Sequence, residues 1–135
     1  MGDEYLMKKK LLAAFLGLSM LIPATLAFAD EPNDRTWWMP SNTQIEGELH
    51  LSGGNKNIGQ AKTTNLSDNG IGVKVKIYAT VDGSTIPGST NSASSNGKDY
   101  AYTKATARSA QYWGSGHTTT ASQDEWKWCY LSTED

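Results

Sequence analysis

The chain has one cysteine, Cys129, so no disulfide can form within it. A lone thiol is a buried small hydrophobe, a bridge to a second chain or a reactive group, and the burial habit of free cysteine favours the first. Phenylalanine does not occur after Phe28, and large aliphatic residues are sparse from there on. That shortage alone points towards disorder. Catalytic signatures are missing too: there is no G-x-S-x-G, H-E-x-x-H, Walker loop or C-x-x-C. A hydrolase with an unorthodox site is therefore a distant third reading, and neither a catalytic residue nor a cofactor is expected.

The remaining titratable candidates are equally bare. His50 and His117 are far apart and lack the close spacing of metal ligands, so they read as solvent-facing and no metal is expected. A nucleophilic Cys129–histidine pair has no support from spacing. Glu46 and Glu48 share a strand face and read as a solvated stripe, because a glycosidase pair normally flanks a cleft.

Dense positive charge occurs once, at Lys8-Lys9-Lys10, and the apolar run 11–22 that follows it is free of charge. The run is shorter than the roughly 20 residues of a membrane-spanning helix and suits the core of a secretory signal. Pro23 breaks the helix, and Ala27-Phe28-Ala29 offers a small-x-small cleavage site, so residues 1–29 read as a signal peptide cut after Ala29. Asp3 and Glu4 sit badly in a region that should be basic, which makes Met7 the natural start. The signal is of bacterial type and predicts a secreted, extracellular or cell-envelope protein that meets membrane only through the signal itself. Its removal takes the basic cluster with it and leaves a mildly acidic domain. Nucleic acid is thereby a poor partner, and so is anionic lipid.

What the remainder does have is aromatic rings and alternation. The whole sequence carries five Trp and six Tyr, residues that bury large areas. Asp30 to Asn42, with Pro32, Pro40 and Trp37-Trp38, shows no period and reads as a leader. Residues 43–135 read as one β domain. Thr43 to Leu51 alternates as a half-buried strand, and Ile71 to Val81 does so most clearly, with Lys74 and Lys76 towards water. Asn57 to Leu66 is a weaker strand. Asn69-Gly70 suggests a hairpin turn, and Asp82-Gly83 ends the Ile71 strand. The polar stretch 83–97 reads as a long mobile loop.

Lys98 to Trp113 reads as one strand with Tyr100, Tyr102, Lys104, Arg108 and Tyr112 on one face and small residues on the other, although a helix competes through its alanines. Gly114-Ser115-Gly116 reads as a turn. Trp126, Trp128 and Tyr130 alternate with Lys127, Cys129 and Leu131, and the large rings are assigned to the core. The fold class expected is all-β, a small antiparallel sandwich or barrel-like domain after an N-terminal signal helix. Asn65-Leu66-Ser67 matches a glycosylation acceptor that matters only in a eukaryotic secretory route.

The functional expectation is a non-enzymatic binding domain for an extracellular protein or glycan. Its contacts are expected on the Tyr100, Tyr102, Lys104, Arg108 and Tyr112 face or at Trp37 and Trp38. The alternative is a secreted antimicrobial, bacteriocin-like or toxin-like protein.

Overall fold

A computed structural model describes residues 33–134. The expected signal peptide and the first residues of the leader lie outside them. The described chain is all-β and forms two antiparallel sheets that face each other across one core. The strands are β1 (Asn33–Met39), β2 (Thr43–Ser52), β3 (Ile58–Asn65), β4 (Val73–Val81), β5 (Ser84–Thr85), β6 (Asn91–Ser94), β7 (Tyr100–Thr106), β8 (Tyr112–Thr119) and β9 (Lys127–Ser132). Sheet A runs β1-β2-β3-β7. Sheet B runs β5-β4-β8-β9, with β6 also on β4.

The alternation in β2 and β4 survives intact: Ile45, Leu49 and Leu51 meet Val73, Val75, Ile77 and Ala79 in the core, and the residues between them face out. Other expectations need correction. The leader is not outside the domain, because Asn33 to Met39 pair with Thr43 to Leu49. Backbone pairing to β2 orders this segment, which needs no side-chain period of its own. The turn at Asn69-Gly70 is not a hairpin. It carries the chain from sheet A to sheet B, and β3 and β4 are not paired. Within it, Asn65 donates to Asn69 Oδ1 and Ile71 O, both at 2.8 Å, and accepts from the Ser67 and Asp68 amides. Asn65 is thus a buried clasp of the crossover, and its amide is not presented for glycosylation.

The stretch 83–97 is not a long loop. Asp82 and Gly83, both at positive φ, turn β4 into β5, and β6 pairs with Lys74 to Ile77. Between those pairings the Ser89 hydroxyl takes the place of a strand, accepting from Ala79 N at 3.1 Å and donating to Ile86 O at 2.7 Å. Ser95 Oγ accepts from Val73 N in the same way. Low polarity is not required to dock on an open sheet edge; hydroxyls that replace backbone partners suffice.

Lys98 to Trp113 is likewise two strands rather than one, broken at 107–111 where Ser109 takes positive φ. Gly114-Ser115-Gly116 is no turn but the middle of β8, paired on both sides with β4 and β9. These glycines, with Gly47 and Gly59, are where rings come down onto the sheets. A Cβ on Gly59 would lie 2.5 Å from the Trp113 ring, which is fully buried and anchored by Nε1–H to Lys56 O at 3.1 Å. The core is therefore thin in aliphatics and tolerable only because a ring fills the space that Gly59 vacates.

Gly59→Ala should overpack this contact and cost about 1–3 kcal/mol in urea denaturation. Gly54→Ala, where a Cβ meets nothing within 4 Å, serves as the near-neutral control; equal effects of the two would contradict the packing account.

Candidate functional site

The two histidines occupy opposite situations. His117, expected in solvent, is fully buried on β8 and links the sheets. The Thr63 hydroxyl of β3 donates to Lys74 O at 3.0 Å, so its oxygen is left to accept from His117 Nδ1–H at 2.7 Å. The Ser115 hydroxyl then donates to Nε2, also at 2.7 Å. Trp37 of β1 stacks on the imidazole, with centroids 5.7 Å apart, and Gly47 of β2 leaves room for the ring. Burial drives the His117 pKa down to about 3, so the ring is neutral.

Cys129, paired with Ser115 across β8 and β9, is buried as expected and sits 3.7 Å from Gly47 O. Burial pushes its thiol up to about 11. Serine, histidine and cysteine do meet here, but both shifts move away from a thiolate–imidazolium pair, and the group is sealed. A bridge from Cys129 to another chain would require opening the sandwich.

Of the five residues expected to form one contact face, the structure makes three groups. Tyr100, Tyr102 and Lys104 share the outer face of sheet A, where Lys62 lies 5.8 Å from the Tyr100 ring centroid. Trp38, 62% exposed, is on the same side at the far edge, whereas its neighbour Trp37 points inward against His117. Arg108 lies beyond β7, beside Asn57 and Pro87. Tyr112, 55% exposed, belongs to the other sheet. A single Tyr100–Tyr102–Tyr112 surface therefore does not exist.

The aromatic face that does exist is on sheet B. In the core, β9 points Cys129 inward, so Trp126, Trp128 and Tyr130 are not core residues as expected; they form an outer row, with Tyr130 54% exposed. Cross-strand register explains their arrangement. Lys76, Gly116 and Trp128 lie in one row, and Tyr78, Gly114 and Tyr130 in the next. A Cβ on Gly116 would come within 3.0 Å of both Trp126 and Trp128, and one on Gly114 within 2.8 Å of Tyr78. The missing side chains of β8 let the rings from β4 and β9 lie across it. Trp128 and Tyr130 are stacked at 6.1 Å with planes 14° apart, Trp126 follows at 6.4 Å, and Tyr78 meets Trp128 edge-on at 5.9 Å. Lys76 Nζ is 4.0 Å from the Trp126 ring centroid and 5.2 Å from that of Trp128, a cation–π placement. Partial burial and a hydrogen bond to Tyr130 raise the Tyr78 pKa.

Beside the rings opens a cleft of about 470 Å³, lined among others by Lys76, Tyr78, Thr90, Asn91, Ser92 and Trp128. Its size is that of a small-ligand site. The sequence signal that could have found this face is the Gly-x-Gly of β8 read as strand, directly opposite a Trp-x-Trp-x-Tyr strand.

No family model, no curated protein and no solved structure matches this chain. The functional reading rests on the site itself.

The buried imidazole makes stability pH-dependent. The folded pKa of His117 lies below its ordinary 6.5. As pH falls from 6.5 towards about 3, the unfolded chain binds a proton that the folded chain refuses, and stability declines by up to about 1.4 kcal/mol per pH unit. Asp34, pushed up to about 6 by burial and by the Glu48 charge, acts with the opposite sign between pH 3.8 and 6. Its side chain keeps 45% of its surface in water, so that effect is screened. Urea midpoints should fall on acidification through this window, and His117→Gln, which has no proton to gain, should flatten the slope. An unchanged slope would contradict the assignment.

Proposed function

We propose that the chain is exported, is of bacterial type, and acts without catalysis as a binding domain at the cell envelope or in the medium, with a glycan as ligand. Export rests on Lys8-Lys9-Lys10, the short charge-free run and Ala27-Phe28-Ala29. The observation that carries the binding reading is the outer face of sheet B. Trp128 lies over Gly116 with Tyr130 near-parallel beside it, flanked by a cleft whose walls carry hydroxyls, an amide and one ammonium.

That combination suits a pyranose. The ring presents a face of C–H groups, which packs on an indole or phenol, and an equatorial belt of hydroxyls, which needs donors and acceptors at the side of the stack. Thr90, Asn91 and Ser92 stand at the cleft beside Trp128. The rings are held by the sheet and by one another, so little side-chain entropy is lost when a ligand stacks on them.

Binding to soluble cell-wall oligosaccharides, measured by calorimetry, should weaken about ten-fold or more in Trp128→Ala and Tyr130→Ala, as expected for anchor aromatics. Trp38→Ala and Tyr100→Ala, on the opposite sheet, should bind like the parent. Loss of binding in the second pair with retention in the first would transfer the site to sheet A, against this proposal.

A further inference from the structure

The outer face of sheet A carries a different chemistry, at the junction of β1 and β2. Asp34 stands directly across from Glu48, and His50 is two residues further along the same strand face. Strand geometry therefore converges three side chains on one spot. His50 Nε2 is 3.4 Å from Glu48 Oε1 and 3.8 Å from Asp34 Oδ1, and one ligand atom from each of the three lies within 4.8 Å of the others. Donors at 2.0–2.2 Å from a tetrahedral zinc ion are about 3.3 Å apart. The cluster is thus within a small side-chain adjustment of a metal's inner sphere.

Glu48 divides its two oxygens. Oε1 faces His50, while Oε2 lies 3.8 Å from Lys62 Nζ, which orients the carboxylate from outside the cluster. A fourth group stands alongside. Gln60, directly across from His50 on β3, is only 5% exposed, and its Oε1 is buried with no hydrogen-bond partner. A buried carbonyl oxygen without a donor is costly in a folded protein, and an ion or an ordered water is what would satisfy it.

We infer that Asp34, Glu48 and His50 form a binding site for a divalent transition cation of the zinc class, with Gln60 beside it. One imidazole and two carboxylates match that class. Calcium, which takes six to eight oxygen ligands, is poorly served by this set. Because Asp34 belongs to the edge strand and Glu48 and His50 to its neighbour, the bound ion would clasp β1 to the sheet.

The test is a zinc titration of the purified protein after chelator treatment, by calorimetry and by NMR of the two histidine rings. One-to-one binding is expected, with the His50 ring nitrogens shifting and those of buried His117 staying in place. Asp34→Asn and His50→Gln should each weaken binding about ten-fold or more. Asp34→Asn sits at the exposed edge and keeps the backbone pairing, so it reports even if His50→Gln folds poorly. Absence of saturable binding, an unmoved His50 ring, or affinity indifferent to Asp34→Asn would overturn the site and leave the cluster as an ion pair. None of these outcomes bears on glycan binding at sheet B.

Discussion

The structure depends on rings laid against strand glycines. Four glycines within strands, Gly47, Gly59, Gly114 and Gly116, each have an aromatic ring where a Cβ would stand. Glycine in a strand is normally a weakness, because it costs entropy and contributes nothing to pack. Here the lost side chain is replaced by a larger one from a neighbouring strand or the opposite sheet. After Phe28 the chain is poor in large aliphatics, and this exchange is how it fills a core at all. Gly59 receives Trp113, and Gly47 receives His117 and Trp37. On the outside the same device has a different result. Gly114 and Gly116 cannot bury the rings above them, so Tyr78, Trp126 and Trp128 become a platform facing water.

The inner and outer contacts differ in what holds them. Trp113 is sealed and anchored, and His117 is gripped by hydroxyls at both nitrogens. The neutral imidazole links β8 to β3 through Thr63 and stacks on β1 through Trp37, so three strands of the two sheets meet at one polar group whose hydrogen bonds are complete. The outer rings are held by one another and by Lys76, and have solvent on one side. The same sequence device thus serves both a sealed interior and a solvent-facing aromatic surface.

This division explains what was legible in the sequence. Alternation located β2 and β4 and their faces correctly, because aliphatic and charged residues take turns in both. It located β9 but inverted it: a period of two defines two faces without saying which is inside, and ring size favoured the wrong one. The interior opposite β9 is already occupied by His117 and Trp37, so the small Cys129 fits there and the tryptophans do not. β1 was invisible because its order comes from pairing with β2, and with it Asp34 was lost as the partner of Glu48 and His50. β6 and the Ser89 anchor hid in a polar stretch because the stabilising groups are hydroxyls on backbone. β8 was misread at Gly114 and Gly116, since glycine pairs usually mark turns, and that error concealed the aromatic face.

The central claim is that the strand glycines set the positions of the surface rings independently of the core. The most direct measurement is the amide and indole NMR spectrum of Gly116→Ala. The added methyl group should shift the Nε1–H signals of Trp126 and Trp128 while the backbone amides of sheet A keep their places. Indole signals that do not move, or a spectrum that collapses throughout, would contradict it.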